Sequence, residues 1–462
     1  MLLPMSPLSS MFLMAETREN PMHVGSLQLY RPPEGRTAID VRAMFEQAIA
    51  DDEVAPLFAK RPRRSLTTLG QWGWEVDRNF DLEHHVRRSA LPEPGRILDL
   101  LALVSRLHST LLDRHRPLWE MHLIEGLEDG RYAVYFKVHH AVVDGVAAMK
   151  VLARSMTEDA HETGMPAPWA LRSPKPRRTR PEHESNPVSD VAHAVGDAAG
   201  LVPALARTVN RALKDEAGSL SLAAPRSMLN VGITGARRFA AQAWPLERLR
   251  AVGEAASDGA DNYTLNDVVL AMCSGALRRY MSDLDQLPQS SLIAMVPVSL
   301  RADDADAGQG GNAVGAVMCA LGTDRYDAGE RLATVHRSMT EGKAALRTMS
   351  PNQILAMSGL GISPLALWPA LRLTDRVRPP FNLIISNVPG PKKPLYWNEA
   401  RLDGIFPLSI PLDGQGLNIT CLTYADEISF GLTGCRRTVP HLQRLLGFLD
   451  DELAALEKAV SA

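Results

Sequence analysis

Short runs of apolar, β-branched and aromatic residues occur in both halves of the chain, and turn-forming residues bound most of them. Runs of this length and composition predict β-strands. The predicted strands span residues 24–30, 132–138, 292–298, 382–385, 416–424 and 428–434. Apolar residues spaced three and four positions apart predict helices instead. The predicted helices span residues 38–51, 95–113, 145–153, a stretch that follows 264–267, and 439–460.

Strands and helices mix in both halves, which predicts an α/β (α+β) protein with two domains. A chain of 462 residues is also too long for one hydrophobic core. Proline and basic residues concentrate at 173–187, and this composition is typical of a linker or an exposed loop. We therefore expect a first domain over residues 1–172, a linker and amphipathic helix over 173–225, and a second domain over 226–462.

Two segments raise the question of contact with lipid. Residues 348–371 carry no charged side chain, but their prolines and glycines argue against a membrane-spanning helix. This segment can face lipid, line a pocket for an acyl chain, or lie in the core. The amphipathic pattern at 188–215 can pack between the halves or lie on a membrane surface.

Composition narrows the class of protein. The formal net charge is −3 with 45% hydrophobic and 22% charged residues, which is typical of a globular protein and gives no global electrostatic case for nucleic acid. The four cysteines, Cys273, Cys319, Cys421 and Cys435, lie far apart. This spacing argues against a zinc module or a disulfide scaffold and is typical of a reducing cytoplasm. The first residues lack a basic region and a cleavage site, so we expect no signal peptide.

The segment His-His-Ala-Val-Val-Asp-Gly at 139–145 carries the strongest chemical signal. It lies between a predicted strand and a predicted helix. Imidazole has an ordinary pKa near neutrality, so His139 and His140 are candidates for general base work. Asp144 can bend back to fix the loop, and Gly145 can adopt backbone angles that other residues avoid. A second pair, His84-His85, has no Asp-Gly after it and no further zinc ligand at the usual spacing, so we expect it to be structural.

Further motifs lie before and after the histidine segment. They are Pro-Met-His-Val-Gly at 21–25, His-Ser-Thr-Leu-Leu-Asp-Arg at 108–114, Pro-Leu-Trp at 117–119, Asn266-Asp267, Val-Pro-Val-Ser-Leu-Arg at 296–301, Gly311-Asn312, and Ser-Asn-Val-Pro-Gly-Pro at 386–391. With these motifs the chain resembles the bacterial wax ester synthase/diacylglycerol acyltransferase family, nearly end to end. That family belongs to the CoA-dependent acyltransferase superfamily, which the histidine motif alone marks.

The resemblance implies two chloramphenicol acetyltransferase-like domains with a substrate tunnel between them. Acyl-CoA would enter from one side and the acceptor alcohol from the other, with the histidine motif at the midpoint. The family pattern makes His140 the base and gives His139 a structural or supporting role. No metal and no permanently bound cofactor are expected, since acyl-CoA is a co-substrate.

The other motif residues have a functional and a structural interpretation. Asp144 pairs with Arg301 from the second domain, as in related condensation-type folds, or only caps the next helix. Asn266 donates to the oxyanion or orients substrate, or caps the helix after it. The remaining candidates for substrate contact or structural support are Gly145, Pro117, Trp119, Asn312, Ser386, Asn387 and Gly390. Among these, Trp119 is expected to pack, and the segment 386–391 forms a turn that the resemblance places near the tunnel and CoA.

The function expected from the resemblance is transfer of a long-chain acyl group from acyl-CoA to a fatty alcohol, to diacylglycerol, or to both. The protein would work in the cytoplasm, peripheral to the inner membrane or to lipid inclusions, because such substrates partition into lipid. Two alternatives stay open. One is a condensation-type enzyme with another acceptor or a carrier-bound donor, and the other is a non-catalytic lipid-binding protein of the same fold.

Overall fold

The computed structural model describes residues 2–33, 42–43, 45–46, 49–50, 53–64, 70–143, 145–171, 224–259, 261–299, 314–348 and 378–461. The predictions for the linker at 173–187, for the helix at 188–215 and for nearly all of 348–371 lie outside these residues. Asp144, Arg301 and Asn312 lie outside them too.

Strands and helices alternate along the described chain. The strands are β1 (Leu3–Pro4), β2 (His23–Arg31), β3 (Lys60–Arg64), β4 (Trp72–Val76), β5 (Val86–Ala90), β6 (Trp119–Glu125), β7 (Tyr132–His139), β8 (Arg237–Pro245), β9 (Ile293–Ser299), β10 (Val314–Ala320), β11 (Leu383–Val388), β12 (Tyr396–Trp397), β13 (Ala400–Leu408), β14 (Leu417–Tyr424) and β15 (Glu427–Cys435). The helices are α1 (Pro7–Ala15), α2 (Leu82–His85), α3 (Ile97–Ser109), α4 (Gly145–Arg154), α5 (Leu246–Ala256), α6 (Leu265–Ser282), α7 (Ala328–Arg347) and α8 (Arg444–Val460).

Two six-stranded sheets form the framework, in the orders β12-β13-β2-β7-β6-β5 and β10-β9-β11-β14-β15-β8. Each sheet mixes antiparallel pairs with parallel ones, such as β5 with β6 and β11 with β14. The first sheet carries the histidine segment at the end of its central strand β7. Every residue of β7 is buried, which explains why it reads as a continuous apolar run rather than an alternating one.

A smaller sheet of order β1-β4-β3 lies beside the first large sheet. Helix α1 begins where the side chain of Ser6 accepts the amide of Ser9, with Pro7 in the first turn, a position that tolerates a missing N–H. Phe12 and Leu13 from α1 pack with Trp72 and Trp74 of β4 and with Ala141, next to the histidines. The N-terminal residues therefore cover the histidine loop.

The two large sheets interlock along β13. This strand comes from the second half of the chain but pairs with β2 in the first sheet, from Arg401 opposite Arg31 to Leu408 opposite Gly25. It also lies against β14 and β15 of the second sheet. In the opposite direction, α3 of the first half covers the edge strand β8, since the hydroxyls of Ser105 and Ser109 accept the amides of Phe239 and Arg237.

Most predicted elements are present, with shifted ends. The strands predicted at 24–30, 132–138, 292–298, 416–424 and 428–434 are confirmed as β2, β7, β9, β14 and β15. The prediction at 382–385 was too short, because β11 continues to Val388 in parallel register with β14. The helix predicted from residue 439 begins only at Arg444, since turns and a bend occupy 436–443. The prediction missed β13, so the division into segments 1–172 and 226–462 does not coincide with the two sheets.

No helix in the described residues is both long enough and apolar enough to cross a bilayer. The described segments next to the uncharged stretch are the end of α7 and the approach to β11. The mixed α/β fold with two sheets agrees with the expected fold class. The tunnel remains a prediction.

The interlock predicts a glycine requirement at Gly431 of β15. A Cβ at this position would lie 1.8 Å from the carbonyl oxygen of Pro407 at the end of β13. Gly431→Ala is therefore expected to destabilise the protein by about 1–3 kcal/mol, because backbone atoms must shift to relieve the overlap. Thermal and urea unfolding measure the change.

The matched control for this change is Gly447→Ala in α8, where a Cβ meets nothing within 4 Å. This substitution should leave stability unchanged or raise it by up to about 1 kcal/mol, because alanine favours helix more than glycine does. Equal stability changes in the two variants would contradict the close approach of β13 to β15.

Candidate active site

The histidine segment begins at the last residue of β7. His139 lies opposite His23 in the antiparallel register with β2, and both side chains are buried. The amide of His140 then donates to the carbonyl oxygen of Met22 at 2.8 Å, which continues the pairing of the two chains one residue beyond the strand. The loop that carries the histidines is therefore fixed by its backbone.

His139 is held on all sides. Its amide donates to the carbonyl oxygen of Leu118 at 3.0 Å, and its Nδ1 accepts the amide of Ala141 at 3.0 Å. Its Nε2 lies 3.3 Å from Oε1 of Glu16, a close electrostatic contact rather than a well-aligned hydrogen bond. Glu16 also binds Arg114, with Oε2 at 3.0 Å from Nε and 2.9 Å from Nη2. This surrounding supports a positioning role for His139 and leaves it no path to solvent.

His140 differs from its neighbour because its side chain is only half-buried. Its imidazole stacks on the ring of Phe12 from α1, with ring centroids 4.2 Å apart and an angle of 24° between the planes. Stacking engages a face of the imidazole and not its edge, where the two nitrogens lie. Of the two histidines, only this one has the exposure that substrate contact needs.

Pro117-Leu-Trp119 lies directly under the histidine loop. All three residues are buried, and Leu118 supplies the carbonyl that receives the amide of His139. Trp119 donates from Nε1 to the carbonyl oxygen of Phe58 at 2.9 Å and stacks on His85 at 4.7 Å. The expected packing role of Trp119 agrees with these contacts.

The second histidine pair lies in this packing layer. His85 is buried between Phe80 and Trp119, and its Nδ1 donates to the carbonyl oxygen of Trp119 at 2.8 Å. Burial lowers the pKa of His85 to about 4, despite that carbonyl, which favours the charged form. No group of side chains able to hold a metal ion occurs among the described residues.

Asn266 occupies the second position of α6, so the interpretation of this residue as the helix cap was wrong. The cap is Thr264, whose amide and hydroxyl donate to the carboxylate of Asp267 at 2.9 Å each. Asp267 also lies 3.1 Å from Nδ1 of His336 on α7. The described contacts give Asp267 a structural role, and the side chain of Asn266 is half-buried.

The segment 386–391 is partly strand rather than entirely turn. Ser386 and Asn387 precede the last residue of β11; both are half-buried and pair in register with Thr420 and Cys421. The predicted turn is not found after the strand: residues 389–391 have no regular secondary structure, and a bend follows at 392–393. A Cβ on Gly390 would lie 2.1 Å from the carbonyl oxygen of Thr423, so this position requires glycine for close packing. Gly145, the last residue of the histidine motif, begins α4 as predicted.

A buried polar wall extends from the histidines along the same face of the first sheet. Nζ of Lys137, two residues before His139, donates to the carbonyls of Leu107 and Thr110 at 3.1 and 3.0 Å, and lies 3.1 Å from Glu120. The pKa of Glu120 falls to about 2: burial alone would raise it, but His122 and Lys137 together outweigh burial. The rest of the wall is His23, His108 and Tyr135, joined by hydrogen bonds of 2.8 Å.

Sequence reasoning missed Phe12 and Glu16. The available signal was a Ser-Pro helix start followed by the uncharged apolar stretch 7–15, which ends at an acidic residue. This pattern predicts a short helix, but nothing in it tells which loop the helix covers. Asp144, Arg301 and Asn312 lie outside the described residues, so their contacts stay predictions.

The comparisons with known proteins agree with this fold and site. Residues 5–269 match the model of the wax ester synthase/diacylglycerol acyltransferase catalytic domain, and residues 310–457 match that of the WS/DGAT C-terminal domain. The chain is 49% identical over 457 residues to a Mycobacterium tuberculosis protein named "Probable diacyglycerol O-acyltransferase tgs2", covering 99% of each chain. The two sheets with the histidine motif are those of an acyltransferase. The chain belongs to the wax ester synthase/diacylglycerol acyltransferase family.

Solved structures support the same conclusion. The structure matches the wax ester synthase/diacylglycerol acyltransferase from Marinobacter aquaeolei VT8 with a TM-score of 0.80 and 43% identity, over 100% of both chains. It also matches the starter condensation domain of rhizomide synthetase with a TM-score of 0.57 and 11% identity, over 100% of this chain and 95% of that one. The second likeness concerns the fold alone, and it confirms that the two-sheet arrangement is shared with condensation domains.

The buried histidines predict a loss of stability in mild acid. Burial lowers the pKa of His108 to about 3 and that of His85 to about 4. The unfolded imidazoles, with a pKa of about 6.5, therefore take up protons while the folded ones do not. The melting temperature is expected to fall as pH drops from about 6.5 toward 4, and His85→Gln should make this slope shallower. Differential scanning calorimetry across this range measures it.

A suitable control is His115→Gln, because the side chain of His115 is 93% exposed and is not desolvated by folding. It should change the slope less than His85→Gln does. If the two variants changed the slope equally, burial of His85 would not be the cause of the acid sensitivity.

Proposed function

We propose that this acyltransferase moves a long-chain acyl group from acyl-CoA to the hydroxyl of diacylglycerol, of a fatty alcohol, or of both, with His140 as general base. One observation carries the proposal. His140 is half-buried, its backbone amide is hydrogen-bonded to the carbonyl of Met22, and the neighbouring His139 is held against Glu16. The names of the relatives and of the family favour diacylglycerol or a wax alcohol as the acceptor of an acyl group.

The chemistry needs a neutral imidazole beside the acceptor hydroxyl. His140 takes the hydroxyl proton while the oxygen attacks the thioester carbon, and the imidazolium then protonates the departing CoA sulfur. General acid–base catalysis of this kind contributes about 10²–10⁴ in rate. Holding both substrates together can supply roughly 7–11 kcal/mol more. No acyl-enzyme is required, and the sequence has no Gly-x-Ser-x-Gly elbow to supply a serine nucleophile.

The remaining motif residues support the base and the substrates. Asp144 pairs with Arg301 and fixes the start of α4, so that the histidine loop keeps its shape. Asn266 donates to the developing oxyanion or orients substrate. Ser386 and Asn387 contact acyl-CoA near the end of β11, and Asn312 supports the same passage. We further propose that the protein works at the surface of the inner membrane or of lipid inclusions, because its substrates partition into lipid.

A basic edge strand favours a phosphorylated donor. β3 carries Lys60, Arg61, Arg63 and Arg64, and the small sheet to which it belongs packs beside α1 and the histidine loop. Arg61 and Arg63 are partly neutralised by Glu75. The guanidinium of Arg64 lies over the ring of Trp72 at 4.5 Å, a cation–π contact that holds this cation on the small sheet. Phosphates of CoA are suitable partners for these cations.

His140→Ala is expected to lower ester formation by about 10²–10⁴-fold, because the proton acceptor is lost. The assay uses purified protein, labelled palmitoyl-CoA and either hexadecanol or diacylglycerol, followed by identification of the ester. His84→Ala, in the other histidine pair, serves as the matched control and should keep the wild-type rate. Full ester formation by His140→Ala would show that the base is a different group.

The same assay separates the two alternatives. A wild-type protein that binds acyl-CoA without turnover of any alcohol would support a lipid-binding protein. Turnover only with an amine or with a carrier-bound donor would support a condensation-type enzyme. A mixture that contains hexadecanol and diacylglycerol together then gives the acceptor preference.

A further inference from the structure

We propose that the N-terminal helix α1 and its C-cap position both histidines of the motif, with Glu16 fixing the tautomer of His139 and Phe12 fixing the imidazole plane of His140. This inference rests on the proposed role of His140 as the base. Glu16 and Phe12 are positioning residues in this scheme, since neither takes part in the proton transfer.

The first step of the argument is the burial of Glu16. It forms the C-cap of α1, where its amide donates to the carbonyl oxygen of Phe12, and its side chain is 1% exposed. A buried carboxylate is costly unless several donors surround it. Here Arg114 supplies two N–H groups to Oε2, and the amide of Met22 donates to Oε1 at 3.2 Å.

The balance of these contacts keeps Glu16 ionised. Burial alone would raise the pKa of Glu16, but His139, Arg114 and the Met22 amide outweigh burial and lower it. The carboxylate is therefore negative at neutral pH. A fixed negative charge 3.3 Å from Nε2 of His139 favours a proton on that nitrogen.

The other nitrogen of His139 requires the same tautomer. Nδ1 accepts the amide of Ala141, so it must carry a lone pair and no proton. The proton of neutral His139 is consequently on Nε2, facing Glu16. If the tautomer reversed, Nδ1–H would face the amide of Ala141 and the hydrogen bond that closes the loop would be lost.

This loop bond sits one residue after His140. Ala141 and His139 flank the base on both sides, and the amide of His140 is bound to Met22. A movement of Ala141 would therefore be passed directly to the imidazole of His140. A misplacement of about 1 Å can lower a rate about 10²-fold.

Phe12 acts on the base from the same helix. It precedes Glu16 by four residues, so the two side chains project from one face of α1. The Phe12 ring lies 4.2 Å from the imidazole of His140. Met14, by contrast, is 62% exposed on the other face of the helix. One short helix thus lies against both histidines; its Leu13 is buried as well, whereas Met11 and Met14 are exposed.

The central experiment compares Glu16→Gln with wild type. Glutamine has the same shape, but it loses the charge and one acceptor, so it cannot serve Arg114 and His139 together. We expect kcat to fall about tenfold to 10²-fold, with KM for palmitoyl-CoA unchanged within about twofold, because substrate binding is not altered. ¹⁵N NMR of histidine-labelled protein should show a single Nε2–H tautomer of His139 in the wild type and a mixture in the variant.

Phe12→Leu provides a second variant that leaves the buried charges in place. It should lower kcat while the His139 tautomer stays that of wild type, since the ring stacked on His140 is removed and the contacts of Glu16 with His139 and Arg114 are untouched. Met14→Leu on the exposed face of α1 is the matched control and should change neither quantity. If Glu16→Gln folds poorly, Phe12→Leu still tests the second half of the inference.

Two results would overturn the inference. One is a wild-type His139 with its proton on Nδ1, which the NMR spectrum reports without any activity. The other is a Glu16→Gln or Phe12→Leu variant with wild-type kcat, even if its melting temperature is lower. A failure of the proposed function is distinct, because the wild type itself would then form no ester while the tautomer of His139 could still be read.

Discussion

The antiparallel pairing of β2 with β7 is the interaction on which the site depends. It runs from Tyr30 opposite Tyr132 to His23 opposite His139, and the amide of His140 extends it to Met22. Side chains alternate between the two faces of a strand, so this register alone decides that His139 points into the protein. A slip of one residue would exchange the two faces. The strand register therefore decides that His139 is buried and His140 is half-buried, independently of side-chain contacts.

The register also places a row of polar side chains in the interior. Tyr135, Lys137 and His139 follow one another on one face of β7, and Lys137 has no exposed area. A buried ammonium is destabilising unless its N–H donors are hydrogen-bonded. Burial lowers the pKa of Lys137, although the nearby carboxylate of Glu120 favours the charged form. The carbonyls it binds, those of Leu107 and Thr110, lie at the negative end of α3. Charged, hydrogen-bonded side chains therefore lie beside the histidines. Apolar side chains in these positions would not fix the orientation of the imidazoles.

The sequence predicted the framework better than the surroundings of the site. The strand before His139 and the helix after Gly145 were predictable because their apolar patterns are strong and local. β13 was missed, since Pro407 and Asp403 interrupt its pattern and its burial comes from two sheets that are distant in sequence. Glu16 and Phe12 could not be assigned to the site, because a nine-residue helix carries no information about which loop it will cover. The interpretation of Asn266 as the helix cap, one of the two left open, was wrong, because both Thr264 and Asn266 are good capping residues and only the geometry selects between them.

Because β13 lies in the second family region and pairs with β2 of the first, the two regions are not separate structural units. The catalytic-domain match ends at residue 269, whereas β12 and β13 fall in the C-terminal match over 310–457. Without β13, strand β2 would expose the backbone groups from Gly25 to Arg31 that now pair with it. β2 is the partner that holds the histidine strand in register, so the second region stabilises the very strand pair that orients His139 and His140. The two regions are distinct as sequence units, but the geometry of the histidine loop belongs to both of them.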